Sequence, residues 1–339
     1  MESGDAGETG NLSGAGAGAG QGGSAGGGSS GRGGRGGRGG SGGSGGSAGT
    51  SGGTGGATGG DSCVGAQVLF LIQRSGALFE QPGPQTTGVP LPLEDSYYGF
   101  LRAALVGDAS AAKPYRGKLP IGVSFLFATR DASLPNPGPV MCPQLAATAP
   151  SLQFGDSLAA AFTQSVAEHA ALVSAKLKEE APVPESIASA VASWSAVSGQ
   201  RHLVLVTTAM PDTCTKFDGP CGIDATVKAV QDAKAAGVIT HVIGLGNDLQ
   251  FSAFPPGLDP MPVPNGYARY LQQLANSGRG KSPGPADVEK LQDYVCDGAM
   301  PAVLTATYSA TPGDAEYYQV MTATDAQSAV AEILAGICP

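Results

Sequence analysis

The sequence is poor in charged residues, in aromatic residues and in side chains that ligate metals. Only 14% of its 339 residues are charged and 6% are aromatic, and it contains three histidines and six cysteines. The histidines His169, His202 and His241 are scattered, and no two cysteines form a CxxC pair, so the ligand spacing of a zinc site is absent. Two of the histidines, His202 and His241, fall in apolar segments, and we expect structural roles for them.

The sequence also lacks the common motifs of catalysis. It has no GxSxG elbow and no phosphate-binding P-loop. Gly244 and Gly246 follow an apolar segment, but the third glycine of a dinucleotide fingerprint is missing, so they predict a turn. The acidic pair Glu179–Glu180 follows a helical pattern and is interpreted as the end of that helix rather than as an acid/base pair. We therefore expect a protein that is not an enzyme and that needs no cofactor.

Long apolar runs are missing as well, and we predict no transmembrane segment. The net charge of −9 argues against a general binder of nucleic acid or anionic membranes. The first ten residues, MESGDAGETG, are acidic and carry no apolar signal-peptide core. An even set of six cysteines nevertheless favours three disulfides in an oxidising compartment, with six buried free thiols in the cytosol as the alternative. We therefore expect a true start upstream of Met1, with a signal peptide or lipoprotein signal.

Residues 1–62 are predicted to form a disordered tether in front of a domain at 63–339. Roughly half of residues 1–60 are glycine, and such a segment buries too little apolar surface to offset its ordering entropy. An RGG-like run, GRGGRGGRGG, contains Arg32, Arg35 and Arg38. Runs of this kind bind RNA in other contexts, but no aromatic residue accompanies this one. A plain spacer is favoured, and RNA binding is the remote alternative.

After the tether, apolar segments alternate with helical patterns. The apolar segments 67–72, 121–128, 202–207 and 238–245 predict strands buried on both faces, and 317–321 predicts a closing strand. Helices are predicted at 95–106, with Asp95 as N-cap, and at 155–178, 186–197, 223–236, 266–276, 286–295 and 325–337. Proline-rich residues 129–150 predict a loop, with or without a short edge strand. The alternation is typical of a doubly wound α/β fold, a mainly parallel sheet flanked by helices on both faces.

Several of these stretches, in this order, resemble the von Willebrand A family. They are VLFLIQRSGALFE at 68–80, APVPESIASAV at 181–191, LVLVTTAMPDTC at 203–214, AVQDAKAAGVITHVIGLG at 229–246, YARYLQQLANSGRG at 267–280 and YYQVMTATDAQSAVAEILAGIC at 317–338. Extracellular bacterial members look most similar. The resemblance implies the same three-layer α/β fold, with a divalent cation at the carboxyl ends of the parallel strands.

The resemblance also implies a degenerate metal site. The family holds its cation with an Asp and two Ser after the first strand, a Thr from a middle loop and a second Asp after a later strand. The corresponding positions here are Gln73, Ser75, Ala77, Pro182 and Thr208, with Ser186 as the nearest hydroxyl if the middle loop is shifted. No carboxylate is left at either Asp position, and Mg²⁺ normally needs one. We expect no metal, and we expect Gln73, Ser75 and Thr208 to hydrogen-bond to one another or to water; rescue of the metal by loop acids such as Asp212, Asp218 or Asp224 is the alternative.

Cysteine pairing is predicted from loop length and from the implied fold. Cys214 and Cys221 bracket a short loop whose closure is easy, so we pair them. The termini of the implied fold lie close together, which pairs Cys63 with Cys338. Cys142 then remains for Cys296, although six cysteines allow fifteen pairings.

These observations together predict a non-enzymatic, extracytoplasmic binding or adhesion-like module on a flexible tether. Its partners are expected to be proteins in the cell envelope or outside the cell, with a lipid anchor if the true start lies upstream. The alternative is a structural or regulatory subunit of an envelope complex with no ligand of its own. An exposed apolar or aromatic patch near Gln73, Thr208 and Met210 would favour direct partner binding.

Overall fold

The computed structural model describes residues 63, 65–79, 93–131, 141–194, 198–208, 211–214, 219–246, 266–286 and 304–339. All of them belong to one compact unit, Ala57–Pro339. The predicted tether with Arg32, Arg35 and Arg38 lies outside the described residues, as do Met210, Asp218, Cys296 and all but the first residue of the helix predicted at 286–295.

Seven strands in the described part of the chain form one sheet. They are β1 (Ala66–Gln73), β2 (Ile121–Asp131), β3 (Met141–Ser151), β4 (Leu177–Glu180), β5 (Gln200–Thr207), β6 (Val238–Leu245) and β7 (Tyr318–Val320). Along the order β3-β2-β1-β5-β6-β7 the neighbours are parallel except β3, which runs antiparallel to β2 at the edge, and the off-path strand β4 also pairs antiparallel with β2. Thr129 of β2 pairs with β3 on one side and with Glu179 of β4 on the other. The short strand β4 therefore lies beside β2 just beyond the end of β1.

Helices cover both faces of this sheet, as predicted. They are α1 (Tyr97–Leu105), α2 (Phe154–Ser174), α3 (Val183–Ser193), α4 (Gly219–Ala235), α5 (Gly266–Gly278) and α6 (Ala323–Ile337), with short 3-10 turns at Gly76–Phe79, Leu93–Asp95 and Lys113–Tyr115. One core lies between the sheet and α1, α2 and α6, and a second lies between the sheet and α3, α4 and α5. The doubly wound α/β fold class is confirmed. None of the helices in the described ranges is both long and apolar enough to cross a membrane.

The two cores explain why the central strands carry no polar alternation. In β1, Val68, Phe70 and Ile72 enter the first core, whereas Leu69 and Leu71 enter the second. A strand buried on both faces needs apolar side chains at successive positions. At the end of β1 the same alternation sends Gln73 and Arg74 to opposite faces of the sheet, which divides the region after β1 into two separate environments.

Three local predictions are wrong. The N-cap of α1 is Ser96, whose Oγ accepts a hydrogen bond from Gly99 N at 3.2 Å, whereas Asp95 ends the preceding 3-10 turn. The helix predicted at 155–178 ends at Ser174, and the left-handed backbone of Lys176, with φ of 57°, leads the chain into β4. Glu179 and Glu180 are therefore strand residues and not a helix end. In the proline-rich region, the alternative of an edge strand within the loop is the one present: β3 has eleven residues, longer than the short strand expected, and Pro143 and Pro150 are tolerated because an edge strand has one unpaired side.

Two disulfides join distant parts of the described chain. Cys63 is bonded to Cys338, as expected, with Cα atoms 4.7 Å apart, and this links the start of β1 to the end of α6. Cys214 is bonded to Cys142, so the predicted pairs Cys214–Cys221 and Cys142–Cys296 are both wrong. Sequence proximity favoured the short ring, but the folded sheet brings the start of β3 within 5.5 Å, Cα to Cα, of the loop after β5.

Candidate functional site

The candidate site lies at the carboxyl ends of β1 and β5. Gln73, the last residue of β1, is 1% exposed, and its Oε1 accepts hydrogen bonds from Thr207 Oγ1 at 2.7 Å and from Thr208 N at 3.3 Å. The hydroxyls of Ser75 and Thr208 lie 2.9 Å apart and share a hydrogen bond. Three of the five predicted positions are therefore joined by hydrogen bonds across adjacent strands.

A tyrosine of α5 fastens the neighbouring strand ends. The Tyr267 hydroxyl donates to Thr207 O at 2.8 Å and lies 3.3 Å from Leu245 O at the end of β6. Tyr267 is 1% exposed, so this hydroxyl satisfies backbone carbonyls that water does not reach. The strand ends beneath the site are thus tied together by uncharged groups.

The other two predicted positions are placed differently. Ala77 lies in the 3-10 turn Gly76–Phe79 that directly follows Ser75. Pro182 precedes α3 and forms a backbone bridge with Asp212, which lies after β5. Asp212 N donates to Ala181 O at 2.8 Å, and Asp212 Oδ2 accepts from Ala181 N at 3.1 Å. The middle loop is thus anchored to the loop after β5 instead of presenting a hydroxyl.

The described residues of this site do not fit a divalent cation. The oxygen atoms of Gln73, Ser75 and Thr208 are hydrogen-bonded to protein groups, and none of them belongs to a carboxylate. Asp212 uses Oδ2 to hold Ala181, and the buried Asp224 accepts hydrogen bonds from Thr305 and Ala306. No three His, Cys, Asp or Glu residues in the described ranges are grouped as metal ligands. Mg²⁺ requires near-octahedral oxygen ligands with at least one carboxylate, and this set does not supply them.

A buried ion-pair cluster, not predicted from the sequence, occupies the opposite face of the sheet at the same level. The side chain of Arg74 is 0% exposed, and its guanidinium carbon lies 3.5 Å from the centre of the Phe127 ring. Its Nη1 donates to Glu168 Oε2 at 2.5 Å, and its Nε lies 2.7 Å from Glu179 Oε1. The two acids come from α2 and β4, so each of these elements places one carboxylate beside Arg74.

A histidine extends this cluster towards solvent. His169 Nδ1 lies 2.6 Å from Glu179 Oε2, and the His169 ring stacks on Phe79 with ring centres 4.0 Å apart. Glu168 Oε1 accepts from Gln164 Nε2 at 2.7 Å. We call the set Arg74, Glu168, His169 and Glu179 the arginine cluster. The one signal that could have revealed it is an arginine directly after a buried strand, which demands acidic partners elsewhere in the chain.

A second buried polar group is formed by His202, near the start of β5, and His241, in the first half of β6. Arg279 Nη2 lies 3.1 Å from His241 Nδ1, and His241 Nε2 lies 3.0 Å from His202 Nδ1. Arginine only donates, so His241 Nδ1 accepts, its Nε2 carries the proton and donates to His202 Nδ1. The remaining His202 Nε2–H is buried and has no hydrogen-bond partner in the described part of the chain.

Burial and nearby positive charge keep both histidines neutral. Burial, reinforced by Arg279 and Lys234, lowers the pKa of His202 to about 4. Burial, reinforced by Arg279 and His202, lowers the pKa of His241 well below its ordinary value. Both histidines therefore act as neutral hydrogen-bonding groups within the sheet, in line with the structural roles expected for them.

Solved structures similar to this chain include two bacterial proteins and one parasite protein. A conserved hypothetical protein, BatB from Bacteroides thetaiotaomicron, is 14% identical over 80% of this chain and 98% of its own, with a TM-score of 0.42. The pilus adhesin SpaC from Lactobacillus rhamnosus GG is 8% identical over 80% of this chain and 30% of its own, with a TM-score of 0.45. The manganese-loaded TRAP protein of Plasmodium vivax is 8% identical over 64% of each chain, with a TM-score of 0.34.

These TM-scores are low, so the fold class stated above rests on the strand order and pairing of the chain itself. No protein-family model and no curated protein matches the sequence.

Proposed function

We propose that the chain is a non-enzymatic binding module of the von Willebrand A type that works outside the cytoplasm and needs no divalent cation. The observation that carries this proposal is the hydrogen-bonded set of Gln73, Ser75 and Thr208. In the family that the sequence resembles, the matching positions hold a cation, and here neutral side chains hydrogen-bond to one another or to neighbouring groups. The two disulfides support an oxidising compartment, where such bonds persist.

The proposal predicts that partners are retained by shape and hydrogen bonds when metals are removed. The protein is immobilised and exposed to envelope proteins of the cells that produce it, and bound proteins are washed with EDTA. The matched bait carries Ser75→Arg, which places a bulky charge at the half-buried edge of the site. We expect proteins that are retained in EDTA by the wild-type bait and lost from the variant. Release by EDTA, or identical sets on both baits, would contradict the proposal.

Thermal unfolding with Mg²⁺ and Mn²⁺ tests the metal independence directly. Any ligand that binds the native state alone raises its stability by mass action, by about 2.7 kcal/mol at a hundredfold excess over Kd. We expect no saturable rise in Tm at millimolar metal. A rise that EDTA reverses would show that the site holds a cation after all.

A structural role inside an envelope complex is the second candidate, and one observation favours it. Gln73 and Thr208 are each 1% exposed, so their side chains hold strand ends together and offer little surface to a partner. The Ser75→Arg bait separates the two candidates, because a purely structural module loses stability from this change without losing a specific partner.

A further inference from the structure

The arginine cluster borders a cavity of about 400 Å³ that is open to solvent. Its lining comes from the ends of β1 and β2, from the edge strand β3 and from α2. The described lining residues are Arg74, Phe127, Gln144, Leu145, Gln164, Glu168, Ala171 and Leu172. Half of these lining residues are apolar, and Arg74 and Glu168 are the charged ones.

Arg74 keeps a hydrogen-bond donor that no described residue uses. Its Nη1 donates to Glu168. Its Nε lies 2.7 Å from Glu179 Oε1 as an ion pair without hydrogen-bond geometry, and its Nη2 is buried with neither an ion-pair nor a hydrogen-bond partner in the described ranges. A buried N–H group without an acceptor costs free energy comparable to a lost hydrogen bond. An acceptor placed in the cavity by a ligand would remove this cost.

The charge balance of the cluster decides which acceptor fits. One guanidinium faces two carboxylates, so its positive charge needs no further anion from a ligand. The side chain of Glu168 is 33% exposed, and it would repel an anionic ligand at the cavity mouth. A neutral oxygen, such as an amide carbonyl, can accept from Nη2 without that repulsion.

From these contacts we infer that the cavity binds an uncharged peptide segment of a partner, with an aliphatic side chain against Leu145 and Leu172 and a backbone carbonyl accepting from Arg74. This inference rests on the proposed function, because it names the chemistry of the partner segment. The inferred contact does not include an ion pair between Arg74 and a carboxylate of the partner.

The test uses three small probes that share the leucine side chain. N-acetyl-leucine methylamide is neutral, N-acetyl-leucine is anionic and leucine methylamide is cationic. Each probe is titrated into the full chain, and the methyl signals of Leu145 and Leu172 are followed by NMR. We expect saturable shifts with the neutral probe and an affinity for it at least about tenfold higher than for either charged probe.

Matched variants locate the binding. Ala171→Trp fills the cavity mouth, while Ala170→Trp places the same ring at the neighbouring exposed position on α2 that does not line the cavity. Arg74→Lys keeps the cation for both acids but lacks the spare guanidinium group. We expect Ala171→Trp and Arg74→Lys to weaken the neutral probe about tenfold or more and Ala170→Trp to leave it unchanged.

Several outcomes would overturn the inference: no saturable shift with any probe, tighter binding of a charged probe, or equal binding by the Ala171→Trp and Ala170→Trp variants. The two proposals fail separately. Partner retention in EDTA without probe binding removes only the cavity inference, and probe binding with EDTA-released partners removes only the metal-independent function.

Discussion

At the scale of single residues, Arg74 is the most constrained side chain of the molecule. A guanidinium that loses contact with water must have its charge balanced by groups of the protein. Glu168 and Glu179 provide that balance from elements that lie 94 and 105 residues further along the chain. The pairing itself adds little net stability, because Arg74 and Glu179 are desolvated, but the removal of one partner leaves the others uncompensated.

Replacement of Arg74 by methionine is expected to lower the free energy of unfolding by about 3–5 kcal/mol, since two carboxylates would remain near a buried apolar side chain. Urea unfolding at neutral pH measures the change. The control is Lys113→Met, because Lys113 pairs with Asp108 at the surface, where the side chains are 49% and 86% exposed. Such a pair contributes less than about 1 kcal/mol. Equal losses in the two variants would show that Arg74 is not buried as described.

The pair His202 and His241 predicts a loss of stability in mild acid. In the folded state the pKa values of both histidines lie below the ordinary value of 6.5, and the pKa of His202 is lowered to about 4. Between the folded-state pKa and 6.5 the unfolded chain binds protons that the folded chain does not. The stability contributed by the neutral histidines is therefore full above pH 6.5 and falls as the pH drops. At about 1.36 kcal/mol per pKa unit, His202 contributes at most about 3 kcal/mol to this loss.

Chemical denaturation from pH 7.5 to 4 checks this prediction. His202→Gln keeps an acceptor for His241 and removes one titrating group, so its stability should depend less steeply on pH below 6.5. An unchanged pH profile in this variant would contradict the assignment.

At the scale of elements, the sequence predicts those parts of the fold that depend on local pattern. The strands β1, β2, β5 and β6 and the helices α4, α5 and α6 lie close to their predicted positions, because each is defined by its own apolar periodicity. The strand β4 was missed because LKEE has no strand pattern and is extended only through pairing with the end of β2. The ligand-like positions Gln73, Ser75 and Thr208 were found by resemblance, whereas the only local signal of the arginine cluster is Arg74 itself, directly after a buried strand, and nothing in the sequence names its acidic partners.

The contact between α5 and β6 depends on Gly244. A Cβ atom at this position would collide with the side chains of Leu271 and Tyr267, both of which are buried. Gly244→Ala should therefore lower the free energy of unfolding by about 1–3 kcal/mol through overpacking. Gly336→Ala in α6 is the control, because no atom lies within 4 Å of its added Cβ and alanine favours a helix by about 0.5–1 kcal/mol. Opposite signs for the two variants in thermal unfolding confirm the prediction, and equal signs contradict it.

At the scale of the whole molecule, the disulfides connect parts that are distant in sequence. Cys142 and Cys214 are separated by 72 residues, and Cys63 and Cys338 by 275. The chain-entropy model gives about 4 kcal/mol for closing the smaller of these loops. The predicted short ring between Cys214 and Cys221 would have contributed less, because the loop it closes is short.

A tryptic digest under non-reducing conditions distinguishes the two pairings. Trypsin cleaves after Lys216, so Cys214 and Cys221 fall in the separate peptides 202–216 and 217–228, and Cys142 falls in 131–176. We expect mass spectrometry to find 202–216 linked to 131–176. A link between 202–216 and 217–228 would contradict the described pairing, and the digest of reduced protein is the control.

The bond between Cys63 and Cys338 also has a mechanical consequence. It fastens the entry and exit points of the domain to each other, so a pulling force applied to the chain outside this pair passes through the covalent bridge. The parallel strands and both cores then carry no load, and tension cannot peel β1 from the sheet. Under force the distance between Cys63 and Cys338 should stay constant, and the domain should begin to extend only when a reductant opens the disulfide.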